Sequence, residues 1–223
     1  MSSPIPPQDA HCAVAAPPVA VILAGGQARR MGGGDKPLRL LDGRTLLDHV
    51  LARIVPQVAA VALSANGDPA RFAAWGLPVL PDPVPGTPGP LAGVLAGLRW
   101  ARQQGADDLL VVPGDTPFLP HDLVARLRHG RGGAALSCAA SGGRLHPVVA
   151  LWRVALEPAL AAALAAGERR VQAWMRGRGL AEIDFAITHG DPFANLNTPE
   201  DLAAAGQDPR LRPSSKPHCG GQS

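Results

Sequence analysis

Short apolar runs recur along this chain and alternate with stretches in which apolar residues return every three or four positions. Runs of this length without polar alternation are typical of strands that are buried on both faces of a sheet. Six of them are predicted to be strands, at 19–23, 59–64, 79–80, 109–112, 134–139 and 146–151. Helical spacing follows Thr45, Pro90 and Pro120, and proline near a first turn suits the last two. The alternation predicts an α/β fold, a single three-layer, Rossmann-like domain with a mostly parallel sheet.

The two ends of the chain differ from this alternating region. Residues 1–17 are rich in proline, serine and alanine, and residues 207–223 are rich in proline, glycine, serine and charged side chains. Neither segment has a periodic apolar face that could pack against a core. We therefore predict two disordered tails around one domain at 18–206, and a length of 223 residues does not demand a second domain.

Composition narrows the class of protein. Hydrophobic residues make up 46% of the chain, but tyrosine is absent and only four Phe and four Trp occur, so the core is predicted to be aliphatic. The formal net charge of +3 is small, and the basic residues are scattered apart from clusters at 29–36 and 126–131. The second cluster fits a helix C-terminus, where cations are favourable. We predict no nucleic-acid partner.

The cysteines and the hydropathy of the chain indicate a reducing compartment. Cys12, Cys138 and Cys219 have no C-x-x-C spacing, which makes a disulfide framework or a zinc site improbable, and Cys138 is predicted to be a small core residue. No apolar stretch reaches the ~20 residues that cross a bilayer. The apolar segment near the N-terminus lacks a basic region and contains Pro17 and Pro18, unlike a signal peptide. A cytoplasmic protein without a membrane partner is the prediction.

The stretch at 19–38 carries the strongest chemical signal. The first predicted strand runs into a glycine pair, in the order Leu23, Ala24, Gly25 and Gly26. Glycine allows backbone N–H groups to come close to a ligand. The following loop adds three positive charges, those of Arg29, Arg30 and Lys36. A Walker loop does not fit, because proline follows the lysine, and no register gives G-x-G-x-x-G. The stretch therefore predicts a phosphate site of another kind.

Polar residues also follow three further predicted strands, at Asn66, Asp82 and Asp115. Ligands of such sheets bind beyond the carboxyl ends of the strands, so these side chains are predicted to meet at one edge. Asp115 could bind Mg²⁺ together with substrate phosphates, or be the turn or cap residue before Pro120. Lys36 could reach a triphosphate as a point charge or be a solvated loop lysine. Asn66 and Asp82 are ordinary turn residues by default.

The motifs and their order resemble the molybdenum cofactor guanylyltransferase family, within the nucleotidyltransferases that act on small phosphorylated acceptors. The resemblance covers roughly residues 19–203 and rests on LAGG, RRMGGGDK, PGPLAG, PGDTPF, GRLHP, GERRV and NLNTPED. Relatives that transfer a cytidylyl group usually carry a glycine-methionine-serine segment in place of PGPLAG. This chain departs from the family at Gly114, where cysteine is frequent, and in its longer tails.

The resemblance implies an enzyme that transfers GMP from GTP to the terminal phosphate of molybdenum-bound molybdopterin, with release of pyrophosphate. It implies Mg²⁺ held by Asp115, and as catalytic residues Asp115, Lys36 and Arg30. The residues implied in GTP binding are Leu23, Ala24, Gly25, Lys36, Asn66, Asp82 and Asp115. Those implied in acceptor binding are Asn195, Asn197 and His146. Further partners would be other proteins of molybdenum cofactor biosynthesis or client molybdoenzymes.

Several motifs keep a purely structural alternative. PGPLAG could be a helix that packs closely through Gly93 and Gly97, and His146 could be a turn histidine. The charges after Gly167 could form a salt-bridge patch at a helix start, which is the interpretation we favour. For the whole protein, the alternatives are a molybdopterin cytidylyltransferase, another small-acceptor nucleotidyltransferase such as a sugar-nucleotide synthase, and a carrier that holds a pterin cofactor without catalysis.

Overall fold

The strands form a seven-stranded sheet and a small two-stranded sheet in the computed structural model, which describes residues 16–25, 35–84 and 89–211. In chain order the strands are β1 (Val19–Leu23), β2 (Leu40–Leu41), β3 (Arg44–Thr45), β4 (Val61–Ser64), β5 (Val79–Leu80), β6 (Asp108–Pro113), β7 (Leu136–Ser141), β8 (Arg144–Arg153) and β9 (Leu180–Asp184). The α-helices of the described residues are α1 (Leu46–Ile54), α2 (Pro90–Gln103), α3 (Leu123–Arg131), α4 (Glu157–Ala165), α5 (Val171–Arg176) and α6 (Pro199–Ala205).

The large sheet has the order β5-β4-β1-β6-β8-β7-β9. Only β8 runs against its neighbours, and the other pairings are parallel. The predicted mostly parallel sheet is therefore confirmed. The reversal at β8 follows from a two-residue turn after β7, where Gly142 and Gly143 have φ of 54° and 75°. Both angles suit the hairpin turns that glycine favours.

Helices cover both faces of the sheet, which confirms the three layers. Alternate residues of β1 and β6 point to opposite faces, so that Val21 and Val111 pack under α2, α4 and α5, whereas Ile22 and Val112 pack under α1 and α3. Both cores consist mainly of Ala, Val and Leu, with a few aromatic side chains. A third small cluster holds β2 and α6 together beside the main sheet.

Helix α2 approaches the sheet closely because it carries two glycines on its buried face. A Cβ atom at Gly97 would lie 2.7 Å from Val21 Cγ1, and one at Gly93 would lie 2.5 Å from Ser64 Oγ. Both distances are too short for van der Waals contact, so any side chain would push the helix away from β1 and β4. The structural interpretation of PGPLAG therefore holds for its glycines. It does not exclude a ligand at the start of the helix.

A buried ion pair closes the amino end of β6. Asp108 Oδ1 and Oδ2 accept hydrogen bonds of 2.7 and 3.0 Å from the two terminal nitrogens of Arg131, and both side chains are almost fully buried. Arg131 is the last residue of α3, within the basic cluster that the sequence placed at a helix C-terminus. The cluster therefore contributes to the fold through the Arg131 contact with Asp108. The free thiol of Cys138 is also buried, and burial raises its pKa to about 12.

Some element boundaries differ from the sequence prediction. Strand β4 begins two residues later than predicted, at Val61, and α3 begins at Leu123 instead of Pro120. The carbonyl of Pro120 accepts hydrogen bonds from Leu123 N and from the side chain of Gln57, which holds it in a turn. Strands β2, β3 and β9 and helix α4 were not predicted, whereas α5 begins at Val171, after the charges that were interpreted as a helix start. Strand β9 lies at the edge of the sheet and is only half-buried, so it lacks the apolar run of the central strands.

The predicted tails lie largely outside the described residues. At the C-terminal end, the described part extends through a 3₁₀ turn at Pro209–Leu211, and Arg53 donates a 2.9 Å hydrogen bond to the carbonyl of Arg210. Residues 207–211 thus pack on the domain that was predicted to end at 206. Among the described residues, no helix has the length and apolar character needed to span a bilayer.

Candidate active site

A cleft lies at the carboxyl edge of the sheet, where β1, β4 and β5 end and α2 begins. It has a volume of about 420 Å³ and is lined by residues of β1, β4 and α2 and of the segments that connect the elements: Leu23, Gly25, Asp35, Ser64, Ala65, Asn66, Arg71, Asp82, Gly89, Pro90 and Gly93. A second recess of about 180 Å³ shares Leu23, Gly25 and Pro90 with it and continues to Lys36, Asp115 and Asn195. The polar residues predicted after separate strands therefore meet at one edge.

Lys36 and Asp115 form the ionic pair at the centre of this edge. The ammonium of Lys36 contacts the carboxylate of Asp115 and also the side-chain oxygen of Asn197. The side chains of Lys36 and Asp115 are 15% and 16% exposed, so both are screened from bulk water without being sealed from it. A lysine ammonium has three donor hydrogens, so it can hold both partners and still donate to a ligand.

The backbone around Gly114 explains how Asp115 is positioned. Gly114 N donates a 3.0 Å hydrogen bond to the carbonyl of Leu23, so the turn after β6 is tied to the end of β1. A Cβ atom at Gly114 would lie 2.9 Å from Cγ of Pro37, the residue that follows Lys36. Glycine at this departure from the family pattern therefore lets the Lys36 turn pack directly against the Asp115 turn.

A second polar cluster lines the other end of the cleft. Asn66 Nδ2 donates a 2.7 Å hydrogen bond to Asp82 Oδ2, and Asp82 N donates one of 2.9 Å to Asn66 Oδ1. The Arg71 guanidinium contacts the carbonyl of Asn66, and its Nε lies 2.9 Å from Asp35 Oδ2. Arg71 thereby links the loop before Lys36 to the end of β4. No signal in the local sequence predicted this role, because Arg71 lies in an ordinary proline-started 3₁₀ turn, Pro69–Trp75.

The segment before α6 brings two asparagines to the same edge. Thr116 Oγ1 donates a 2.8 Å hydrogen bond to Asn195 Oδ1, and Leu196 N donates one of 3.2 Å to the carbonyl of Asp115. Thr198 and Asp201 then form a capping box at the start of α6. The hydrogen bond from Asn197 N to the Asp201 carboxylate is the main reason that the pKa of Asp201 lies below its usual value, and Lys36 lowers it further.

His146 is placed behind the cleft surface. It is 8% exposed, its Nε2 lies 2.7 Å from Ser141 Oγ, and its ring lies 4.8 Å from the ring of Phe193. Burial lowers the pKa of His146 below its usual value, and the nearby Asp191 carboxylate offsets part of that effect. The structure therefore brings His146 to the asparagine segment without bringing its ring into the recess beside Asp115.

Other predicted residues lie elsewhere or outside the described part of the chain. Arg30, with Arg29 and Gly26, lies outside it, as does Pro88 of PGPLAG. The charges after Gly167 form a local patch on another surface, where Glu168 accepts hydrogen bonds from the backbone N–H groups of Arg169 and Arg170. These bonds lower the pKa of Glu168. The salt-bridge interpretation of this motif is therefore confirmed.

The donor groups of the cleft fit a divalent cation that is shared with a ligand. Within the described ranges, no group of three or more His, Cys, Asp or Glu side chains could hold a metal ion alone. Asp115 supplies one carboxylate beside the oxygens of Asn195 and Asn197. Mg²⁺ commonly binds through one or two carboxylates together with substrate phosphates. The chemistry of Asp115 therefore fits a Mg²⁺ ion that takes further ligands from outside the protein.

Two relatives are similar to most of this chain. A molybdenum cofactor guanylyltransferase of Rhodopseudomonas palustris is 53% identical over 191 residues, which are 83% of this chain and 91% of the relative. One from Acidiphilium cryptum is 54% identical over 187 residues, 83% of this chain and 92% of the relative. The family model described as a MobA-like NTP transferase domain matches residues 20–182.

Two solved structures share the fold. Molybdopterin-guanine dinucleotide biosynthesis protein A from Archaeoglobus fulgidus aligns with a TM-score of 0.66 at 20% identity, over 84% of this chain and 96% of its own. The 4-diphosphocytidyl-2C-methyl-D-erythritol synthase of Anaerococcus prevotii aligns with a TM-score of 0.66 at 13% identity, over 86% and 95% of the two chains. These likenesses concern the fold alone.

A mostly parallel sheet with a Lys36–Asp115 pair beside a cleft at its carboxyl edge suits a nucleotidyltransferase. The relatives agree with this class. The chain belongs to the MobA-like NTP transferase family, among the molybdenum cofactor guanylyltransferases. The resemblance inferred from the sequence motifs is thereby confirmed.

Proposed function

We propose that this protein transfers GMP from GTP to the terminal phosphate of molybdopterin, giving the guanine dinucleotide form of the molybdenum cofactor. The observation that carries the proposal is the Lys36 contact with Asp115 in the smaller recess, because it sets a cation and a carboxylate suited to a metal ion beside the larger cleft, with which that recess shares Leu23, Gly25 and Pro90. The names of the relatives supply the acceptor and the nucleotide.

The larger cleft suits the nucleoside part of GTP. Asn66 and Asp82 offer amide and carboxylate groups to the base and the ribose, and the backbone from Leu23 to Gly25 lies beneath them. Gly93 lines the cleft in the first turn of α2, where its lack of a side chain lets the helix lie close to Ser64. Free N–H groups at a helix start favour anions, so the phosphates would run from this end of the cleft toward Lys36.

Phosphoryl chemistry of this kind needs little covalent participation by the protein. An oxygen of the acceptor phosphate forms a bond to the α-phosphorus of GTP, and the bond from that phosphorus to the bridging oxygen of the β-phosphate breaks, so pyrophosphate leaves. The attacking phosphate is already ionised, so no general base is required. Positioning and charge neutralisation carry the catalysis. Lys36 would neutralise triphosphate oxygens, and Asn195 and Asn197 would orient the acceptor.

Mg²⁺ completes this proposal, with Asp115 as its protein ligand. When bound, the ion would neutralise phosphate charge and polarise the reacting phosphoryl group. Because the described residues contain no group of three or more potential ligands that could hold the ion alone, the protein should bind Mg²⁺ weakly without nucleotide. Arg30 stays a proposed phosphate-binding residue. A cytoplasmic location, where GTP is available, and contacts with other proteins of cofactor biosynthesis or with client molybdoenzymes stay predictions.

Equilibrium binding of GTP and CTP, each with and without Mg²⁺, tests the nucleotide half of the proposal. We expect GTP to bind at least about tenfold more tightly than CTP, a difference of about 1.4 kcal/mol. Mg²⁺ should strengthen GTP binding to the wild type and have no such effect on Asp115→Ala. A preference for CTP would overturn the guanylyl assignment. Binding of molybdopterin without any pyrophosphate release from GTP would favour a carrier.

A further inference from the structure

The segment at 185–198, between β9 and α6, has to hold two asparagines beside Lys36 without helix or strand structure of its own. Asn195 and Asn197 are exposed, and the hydrogen bonds from Thr116 and Leu196 fix only the end of the segment near Asp115. A segment without regular structure has many accessible conformations, and its ordering requires contacts at more than one point. The other end needs an anchor as well: the hydrogen bond from Phe185 N to the Ala140 carbonyl holds its first residue, and Arg210 contacts the carbonyls of Gly190 and Asp191 only at 3.4 and 3.5 Å.

Asp191 supplies the polar part of such an anchor. Its Oδ1 accepts a 2.8 Å hydrogen bond from Ser141 Oγ and a 2.9 Å hydrogen bond from Phe193 N. Ser141 is the last residue of β7 and is 2% exposed, so the carboxylate ties the segment to the rigid sheet. The same carboxylate closes a local turn through Phe193 N. Hydrogen bonds to an ionised group are stronger than those between neutral groups.

His146 supplies the third member of the network, from the neighbouring strand β8. A hydroxyl has one hydrogen to donate. Because Ser141 gives that hydrogen to Asp191, the 2.7 Å contact with His146 must be a hydrogen bond that His146 Nε2–H donates to Ser141 Oγ. The ring of His146 also packs on Phe193, which packs edge-on against Phe185 at 5.1 Å. His146 thus supports the segment both by its hydrogen bond to Ser141 and by its ring contact with Phe193.

We propose that His146, Ser141 and Asp191 form a positioning network that holds Asn195 and Asn197 in place for the acceptor. His146 then acts through the segment and does not touch the acceptor. This inference rests on the proposed function for the identity of the acceptor, and on the structure alone for the anchoring. Ser141 is the most informative member, since it is too deeply buried to bind a ligand and lies at the centre of the network.

Hydrogen exchange without any substrate tests the anchoring independently of function. In Ser141→Ala and Asp191→Ala, the amides of Phe193, Ala194 and Leu196 should exchange about tenfold faster than in the wild type, whereas the amides of β1 and β6 should not change. Asp191→Asn keeps an accepting oxygen at the same place and should restore most of the protection. The exposed His129, in the last turn of α3, provides the control variant His129→Gln. Unchanged exchange in Ser141→Ala and Asp191→Ala would overturn the inference.

Steady-state kinetics tests what the anchoring does. In Ser141→Ala and Asp191→Ala, the KM for molybdopterin should rise roughly five- to tenfold, because about one hydrogen bond's worth of ordering is lost. The Kd of GTP should stay within about twofold. The KM for molybdopterin should rise less in His146→Gln, which keeps a donor to Ser141, than in His146→Phe. Equal losses in both His146 variants, with wild-type kinetics in Ser141→Ala, would mean that His146 contacts the acceptor and would contradict the inference.

The two experiments separate the inference from the proposed function. If the wild-type protein transfers no nucleotide to molybdopterin, the proposed function fails. Faster exchange of the segment in Ser141→Ala would still support the anchor. Conversely, transfer by the wild type together with unchanged exchange and unchanged acceptor KM in Ser141→Ala would leave the function intact and overturn the anchor.

Discussion

Two aspartates lie at opposite ends of the central strand β6, and each is paired with a cation. Asp108, at the amino end, accepts two hydrogen bonds from the buried Arg131 and also lies within 3.5 to 3.6 Å of nitrogens of Arg128 and Arg153. Asp115, just beyond the carboxyl end, contacts Lys36 beside an open recess. Aspartate therefore forms a buried ion pair at one end of the strand and a ligand-accessible ion pair at the other.

The two sites show that the role of an aspartate depends on the geometry of its ion pair and on whether a ligand can reach the carboxylate, more than on charge alone. The fork of Arg131 occupies both oxygens of Asp108, and burial leaves no path for a ligand. Lysine is a point charge, so Lys36 leaves part of the Asp115 carboxylate free to bind an ion. We infer that the Asp108 end serves stability and the Asp115 end serves nucleotidyl transfer.

Removal of Asp115 should produce the largest effect on activity. Asp115→Ala should lower nucleotidyl transfer at least about a thousandfold, because the proposed metal ligand and the partner of Lys36 are lost together. The free energy of unfolding should change by no more than about 1 kcal/mol, since the pair is not fully buried. Pyrophosphate release and chemical denaturation measure the two quantities. Asp107→Asn, at an exposed site, is the control.

The corresponding change at the other end should reverse this pattern. Asp108→Leu leaves Arg131 buried without its carboxylate and should lower the free energy of unfolding by about 3–5 kcal/mol. Activity per folded molecule should stay near that of the wild type. The double variant Asp108→Leu/Arg131→Leu should recover part of the lost stability, because no uncompensated charge remains. If the double variant were less stable than Asp108→Leu, the Arg131 side chain would stabilise the fold even without its carboxylate partner.

Variants of Lys36 test the cation of the Asp115 pair. Lys36→Gln should lower transfer roughly a hundredfold, because removal of one electrostatic contact to a transferring phosphoryl group costs about this much. Lys36→Arg should recover little of the loss, since a planar guanidinium does not reproduce the compact ammonium between Asp115 and Asn197. Single-turnover rates measure the effect. Wild-type rates in Lys36→Gln would remove Lys36 from the proposed mechanism.

The smallest expected effect concerns Arg153, which faces the same carboxylate as Arg131 from an exposed position. Its side chain is 45% exposed and its Nη1 lies 3.6 Å from Asp108 Oδ1. Arg153→Gln should change the free energy of unfolding by less than about 1 kcal/mol, because solvent screens such a pair. If Arg153→Gln lost as much unfolding free energy as Asp108→Leu, the exposed Arg153 would stabilise the fold as strongly as the buried Arg131.

The sequence predicted the central features of the fold and of the edge because both depend on local patterns. Apolar runs identified β1, β4 and β6, and the polar residues after them had to meet at one edge of a parallel sheet. The apolar runs did not predict the reversal of β8, which follows from the hairpin turn at the glycine pair after β7.

The remaining features depend on contacts between distant parts of the chain. Nothing near Arg71 indicates that it links Asp35 to the end of β4, and nothing near Asp191 indicates a bond to Ser141, 50 positions away. The basic cluster after Arg126 predicted a helix end correctly, but its local sequence contains no sign that Arg131 is buried against Asp108. Such pairings are set by packing, which a local pattern does not encode.

The central claim is that the Asp115 end of the sheet transfers GMP to molybdopterin. Its most direct test is pyrophosphate release and product identification with each of the four NTPs, with and without molybdenum-loaded molybdopterin, in the wild type and in Asp115→Ala. We expect pyrophosphate release that requires both GTP and the acceptor, yields the guanine dinucleotide, and disappears in Asp115→Ala. Preferential use of CTP, or undiminished transfer by Asp115→Ala, would contradict it.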